Sequence, residues 1–205
     1  MFSATERSGN AASRRRSSGT YAKPSDIATR AEGLVVDVRY NRGGHTSQLV
    51  VERLARKVVG WTTSRHHALQ TDYPSQSARG PVIFVTNEFA GSDGDIVNAA
   101  AQALGLGPVI GVRTWGGVVG IDGRFRLVDG TGITQPRYAF WLEGYGWRVE
   151  NYGIDPDIEV PMTPADWHSE ADVQLDRAIA EALERLAARP AASPPAVPAP
   201  RVHPR

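Results

Sequence analysis

An α/β fold is predicted by three features of the sequence: two strand, glycine-turn, helix units and a strongly amphipathic helix near the C-terminal end. In the first unit, Gly33-Leu34-Val35-Val36-Asp37-Val38-Arg39-Tyr40 reads as a buried strand. Asn41-Arg42-Gly43-Gly44-His45 turns the chain, and a helix is expected over 47–58. In the second unit, the apolar run 81–86 leads through Asn87-Glu88-Phe89-Ala90-Gly91-Ser92-Asp93 into a helical pattern over 94–104. The third feature spans 172–188. Val173, Leu175, Ala178, Ile179, Ala182, Leu183 and Leu186 form an apolar stripe there, and Asp176, Arg177, Glu181, Glu184 and Arg185 keep the opposite face polar.

Strands are expected at 108–112, 125–128, 137–142 and 158–160, with Asp129-Gly130-Thr131-Gly132 as the tight turn of a hairpin. The polar stretch 62–80 reads as a loop, and no internal repeat is evident. Residues 1–32 are rich in Ser, Ala and Arg, include Arg14-Arg15-Arg16, and read as disordered or as the remnant of an upstream domain. The proline-rich stretch 189–205 cannot propagate a helix and reads as an extended, mobile tail. The catalytic domain is therefore expected over 33–188.

Composition narrows the function. A chain of 205 residues with 41% hydrophobic content can bury one sizeable core, and a net charge of +1 argues against a dedicated nucleic-acid surface. The absence of cysteine excludes disulfides, a thiol nucleophile and cysteine-ligated zinc. No apolar run approaches a membrane span and the N-terminus lacks a secretory core, so cytoplasm is the expected compartment.

The chemistry concentrates at Ser92. Gly91 allows a sharp turn after a buried strand, and a helix begins just beyond, so unpaired amides and the positive end of the helix dipole face the serine. The Asp93 amide is then a candidate oxyanion donor while the Ser92 hydroxyl attacks. On local residues alone, serine at a helix start is more often an N-cap. Asp93 and Asp95 are read as first-turn acids complementing the dipole, because no His or Cys cluster accompanies them and calcium-loop spacing is absent. Neither glycine-rich turn has a phosphate-loop pattern, and no cofactor is expected. Trp115, flanked by apolar residues, reads either as core or as the wall of a substrate cleft.

Four segments together carry a resemblance. They are the Asn41 to His45 turn, the Asn87 to Asp95 turn, Arg113-Thr114-Trp115-Gly116-Gly117-Val118-Val119-Gly120, and Val149-Glu150-Asn151-Tyr152-Gly153-Ile154-Asp155-Pro156-Asp157. In order and spacing they resemble the C-terminal catalytic domain of tricorn-type serine peptidases of family S41, over about 33–186. The resemblance implies a domain of stacked strand-turn-helix units like those of the ClpP and crotonase superfamily. It implies that Ser92 is the nucleophile, that the Gly44 and Asp93 amides form the oxyanion hole, and that Glu150 braces a serine which orients the histidine base. Without the resemblance, Glu150 reads as a solvated strand residue or an arginine's partner.

The family's serine and histidine lie in an upstream domain, a place held here by residues 1–32, so the chain is expected to be incomplete as an enzyme. His45, His66, His67, His168 and His203 each have a plainer role, His168 as a surface residue near the start of the final helix. An acid that gives the tricorn type its basic preference falls, by spacing, near Thr62-Thr63-Ser64. No acid occurs from 58 through 70, so Thr62 and Thr63, with Trp115 and Gly116, are the expected substrate-binding residues of a neutral pocket. Expected partners are peptides, an upstream tricorn-type domain and, at full length, further copies of the same chain. A truncated peptide-binding domain without turnover is the alternative. An acyl-CoA enzyme of crotonase type ranks last, since nothing obvious would bind the adenine.

Overall fold

A computed structural model describes residues 3–4, 31–169 and 171–199. The central sheet has the order β1 (Ser3–Ala4), β2 (Leu34–Asp37), β5 (Val82–Thr86), β6 (Val109–Gly111) and β9 (Ile158–Glu159). β1 runs antiparallel to β2, and every other pairing in this sheet is parallel. Helices α1 (Ser47–Leu54) and α2 (Asp93–Ala103) supply the crossovers from β2 towards β5 and from β5 to β6.

Burial on both faces explains why β5 is apolar at four consecutive positions. Val36, Val82 and Phe84 pack with Val97 and Ala101 of α2 and with Val50, Val51 and Leu54 of α1 on one face. Val35, Ile83, Val85 and Ile110 face the other way, against Ala178, Ala182 and Leu175 of α4 (Val173–Ala188). Ile83, Phe84 and Val85 are all completely buried, which stabilises the sheet by roughly 1.5–3 kcal/mol for each side chain. The sequence expectation of an α/β domain with a C-terminal amphipathic helix matches this three-layer arrangement.

A charged clasp joins the last helix to the first long strand. The Arg39 guanidinium donates to both carboxylate oxygens of Asp37 and of Asp172, and more weakly to Gln174. Asp172 also caps α4 by accepting from the Leu175 amide at 3.0 Å. Burial alone would raise the Asp172 carboxyl, but the Arg39 hydrogen bonds and charge, with the Leu175 amide, hold it below the usual carboxylate range.

Several element boundaries differ from the expectation. The helix expected over 47–58 stops at Leu54, because the chain turns to give the Val59 amide to the Tyr73 carbonyl at 2.8 Å. The supposed loop 62–80 contains an antiparallel hairpin, β3 (Gly60–Ser64) with β4 (His67–Tyr73), in which the Thr62 and Thr71 hydroxyls meet across the strands at 2.6 Å. Trp61, Thr62, Thr71 and Tyr73 suit a pleated surface, so strand propensity outweighs overall polarity.

The second hairpin sits earlier than predicted. β7 (Gly120–Arg126) pairs with β8 (Gly132–Tyr138), since the turn closes through Gly130 to Leu127 and Leu127 to Thr131 backbone bonds of 2.9 and 2.8 Å. Phe140 and Leu142, expected to lie in a strand, instead pack against Ala99, Val118, Val149 and Ile154. His168 belongs to a separate helix, α3 (Pro164–Ser169), and lies in its last turn rather than at the start of α4. Residues 190–199 carry neither helix nor strand, and the Ala192 amide donates to the Arg79 carbonyl at 2.8 Å. His203 and nearly all of the 1–32 leader fall outside the described residues.

Candidate active site

In parallel strands the turns that follow each strand emerge on one edge, which is where such sheets assemble sites from separate stretches of chain. Here the turns after β2, β5 and β6 meet. The Gly91 amide donates to the Asn41 carbonyl at 2.8 Å, and the Trp115 amide donates to the Ala90 carbonyl at 2.9 Å. Asn87 is buried, and its side-chain oxygen accepts from the Tyr40 and Phe89 amides at 3.2 Å each. Tyr40 and Phe89 then stack with ring centroids 5.4 Å apart.

Ser92 stands at the junction in an unusual conformation, with φ 56° and ψ −113° immediately before α2. A non-glycine residue in that region is strained by about 1–3 kcal/mol and persists only where its surroundings fix it. The fixing group is Asp95, whose Oδ2 accepts the Ser92 amide at 2.6 Å. Asp95 is fully buried. It also accepts the Thr114 hydroxyl and the amides of Gly116 and Gly117, the last two at 2.9 and 3.3 Å. Burial pushes its carboxyl above the usual aspartate value despite those four donors.

The glycine turn after β2 abuts the serine directly. A Cβ placed on Gly43 would lie 3.1 Å from the Ser92 Cβ and 3.3 Å from its Oγ, so a side chain there would crowd the hydroxyl. Both Gly43 and Gly44 have positive φ, 119° and 142°. Asp93 is buried, and its carboxylate accepts from the Thr46 and Ser47 amides at 2.9 Å each and from the Ser47 hydroxyl. Asp93, in the first turn of α2 as expected, therefore also complements the N-terminus of the neighbouring helix α1.

Trp115 is 67% exposed, which corrects the core reading. One edge of its indole lies against the junction: a Cβ on Gly91 or on Gly117 would come within 2.5 Å of the ring. Gly116 has φ 82° and lies so close to the chain behind it that a Cβ would meet the Gly153 nitrogen at 2.4 Å. Glu150 is half-buried in the turn after Val149, where its Oε2 accepts the Val118 and Val119 amides at 2.7 and 2.8 Å. That replaces the plain reading of a solvated strand residue or an arginine partner.

Of the residues singled out from sequence, Ser92, Asp93, Gly44, Trp115 and Gly116 are thus brought together, and Glu150 reaches them through the Val118–Val119 amides and the Asn151 to Gly116 backbone bond of 2.6 Å. Thr62 and Thr63 lie exposed on the β3–β4 hairpin, and no hydrogen bond joins them to the Ser92 junction among the described residues. His45, His66 and His168 are exposed, and the side chain of His67 falls outside the described residues. A cavity of about 350 Å³ opens beside the Tyr40 and Asn87 turns, lined also by Met162, Trp167 and Gln174, but Ser92 is not in its wall. Sequence reading missed the bracing roles of the Asp93 and Asp95 carboxylates. The Ser92 to Asp95 spacing of a capping box was the available signal for the second.

A model described as "Peptidase family S41" matches residues 14–160. The chain belongs to peptidase family S41. It is 68% identical over 167 residues to tricorn protease homolog 1 of Streptomyces coelicolor, covering 82% of this chain and 16% of that protein. It is 52% identical to the tricorn protease of Thermoplasma acidophilum, covering 76% of this chain and 14% of that protein. A tricorn-like protease C-terminal subunit of Sulfurisphaera tokodaii is 46% identical, and 18% of its length is covered. The crystal structure of the tricorn protease superposes with a TM-score of 0.74 at 50% identity, over 77% of this chain and 15% of that one. This S41 chain thus spans about a sixth of the length of these relatives.

Proposed function

We propose that this chain is the catalytic part of a serine-type peptidase that cleaves peptides through an acyl-enzyme on Ser92. The observation that carries the reading is the strained Ser92 at the start of α2, with the Gly43–Gly44 turn against its Cβ and the Asp93 amide next in the chain. In the mechanism, the Ser92 hydroxyl attacks the scissile carbonyl and the Gly44 and Asp93 amides donate to the oxyanion. The base takes the serine proton and passes it to the leaving amine as the scissile C–N bond breaks, and water then releases the acyl product. Trp115 and Gly116 border the cleft beside Ser92 in this reading, and the exposed Thr62 and Thr63 are left out of it. Glu150 supports the base from a distance.

The general base comes from elsewhere. Among the described residues no histidine hydrogen-bonds to Ser92, and a serine hydroxyl is a weak nucleophile without a base in reach. The short span relative to the relatives, one of which carries the name of a C-terminal subunit, supports an upstream tricorn-type domain as the source. The working assembly is cytoplasmic and homo-oligomeric in this reading. A peptide-binding domain without turnover is the competing reading, favoured by the same absence of a histidine partner for Ser92 among the described residues.

A fluorogenic peptide library separates them. The 205-residue chain should hydrolyse it only at trace level, since oxyanion amides without the nucleophile-base pair leave about 10³-fold catalysis over water. Adding an upstream domain should raise turnover by orders of magnitude, and Ser92→Ala should abolish the gain. With no acid over 58–70, cleavage after Lys or Arg should not dominate. Reconstituted turnover unaffected by Ser92→Ala would refute the nucleophile, and specific peptide retention with no turnover in any combination would favour the binding domain.

A further inference from the structure

Helix α1 begins without a cap of its own. Its N-cap residue Thr46 makes no side-chain cap bond, and its first turn contains no acid. Helix starts leave amides that need an acceptor, and anionic acceptors satisfy them best. The acceptor here is the carboxylate of Asp93, which takes the Thr46 and Ser47 amides on Oδ2 and the Ser47 hydroxyl on Oδ1. Asp93 and Ser47 are each 3% exposed, so these bonds are shielded from water and their geometry is tightly held.

The contact also spans the two halves of the proposed oxyanion hole. Gly44 lies two residues before Thr46, and a Cβ on it would sit 3.8 Å from Asp93 Oδ2. The other end of the same turn is tied to the residue before the serine, through the Gly91 amide and the Asn41 carbonyl at 2.8 Å. Within the turn, Asn41 Oδ1 accepts the Gly43 amide at 3.0 Å. The Gly43–Gly44 segment is therefore held at both ends by residues that flank Ser92.

We propose that the Asp93 side chain is a positioning residue for the oxyanion hole. Its backbone supplies one donor, and its carboxylate fixes the Gly44 donor relative to it by holding Thr46 and Ser47. This rests on the peptidase reading of Ser92. Oxyanion donors act only within a narrow range of distance from the developing charge, so loosening the Gly44 turn should slow acylation without weakening substrate binding.

The test uses the 205-residue chain and trans-cinnamoyl imidazole, an acyl donor reactive enough to acylate a serine without a strong base. The Ser92 oxygen bonds to the carbonyl carbon, the carbon–nitrogen bond breaks, and imidazole leaves with the serine proton. Asp93→Ala should slow Ser92 acylation by about tenfold or more, given that losing a whole oxyanion donor costs about 10²–10³. Half-saturation by the donor should stay unchanged. The carbonyl stretch of the acyl adduct should rise in frequency as its hydrogen bonds weaken. Asp93→Asn, which keeps one acceptor oxygen, should recover part of the rate, and Ser47→Ala should give a smaller loss without altering residue 93.

Amide resonances of Thr46 and Ser47 in the same variants report whether the bonds exist and break. If those resonances move while acylation and carbonyl frequency do not, the positioning role is overturned and Ser92 as nucleophile stands. Resonances indifferent to Asp93→Ala overturn the contact itself. If they move but the wild-type chain shows no acylation lost on Ser92→Ala, the peptidase reading falls and takes the positioning role with it.

Discussion

The Ser92 junction and the β7–β8 hairpin solve the problem of holding a turn in opposite ways. At the junction, the buried side chains of Asn41, Asn87, Asp93 and Asp95 each bond to backbone groups of a turn next to Ser92, so no turn is fixed by its own residues alone. The hairpin is held by its own ladder, with Phe125, Leu127 and Val128 exposed near its tip. Polar side chains buried in the first region and apolar ones exposed in the second reverse the usual sorting. The difference shows that buried hydrogen bonds are concentrated where backbone amides need a defined aim, while the hairpin turn is closed by exposed residues of its own, Asp129 accepting the Thr131 amide and Arg126 donating to the Gly130 carbonyl.

The largest expected break in that contrast is Asp95→Ala. It strands the Ser92, Gly116 and Gly117 amides and the Thr114 hydroxyl, each costing about 1–3 kcal/mol when buried without a partner. Urea unfolding should show a loss of about 4 kcal/mol or more, and a loss under ~1 kcal/mol would mean that Asp95 does not hold the junction. Asp95→Asn sharpens the point through pH. Burial raises the folded carboxyl above its unfolded value, so its titration favours folding below about pH 4, and that contribution is lost as pH rises through the elevated folded value. The stability of wild type relative to Asp95→Asn should therefore fall as pH rises above about 4; a difference flat with pH would remove the burial effect.

An intermediate effect comes from two glycines of similar φ in the two regions. Gly116 has φ 82° and Gly130 has φ 85°, but only Gly116 would press a Cβ into neighbouring backbone, whereas nothing lies within 4 Å of one on Gly130. Alanine should cost about 1–2 kcal/mol at Gly130 from backbone conformation alone, and at least ~1 kcal/mol more at Gly116. Equal melting shifts would show that the junction yields as easily as the hairpin. Smallest of all, Val128→Thr, at a fully exposed position, should change stability by less than about 0.5 kcal/mol. A larger loss would reveal that the hairpin tip is packed against something in solution.

The same contrast explains what the sequence made legible. Val82 to Val85 announce a strand because burial on two faces demands four apolar residues in succession, and the α4 stripe announces itself because one face of that helix is buried. The β3–β4 hairpin has no such pattern. Its partner strand, not a core, holds Thr62 opposite Thr71, and Thr63 sits at a shift in the register, so polarity alone misread it. At the site, strand-turn-helix order set Ser92 at a helix start, and the resemblance added its role and that of Gly44. The work of the Asp93 carboxylate could be read from neither, because its partners Thr46 and Ser47 lie 47 and 46 residues away and only the parallel crossover brings them close.

The clasp between Arg39 and Asp172 also gives the molecule an order of completion. As the chain is synthesised, β2, β5 and β6 can pair in turn while α1 and α2 cover one face, each helix available before or soon after the strand it serves. The opposite face, formed by Val35, Ile83, Val85 and Ile110, waits for Ala178 and Ala182. Until then the sheet carries an apolar surface of the kind that makes partly synthesised chains prone to aggregate. Arg39, next to the turn that leads to Gly43 and Gly44, meanwhile has only the Asp37 half of its clasp. A nascent chain stalled before residue 172 should therefore depend on chaperones although every residue of the Ser92 junction has already been made.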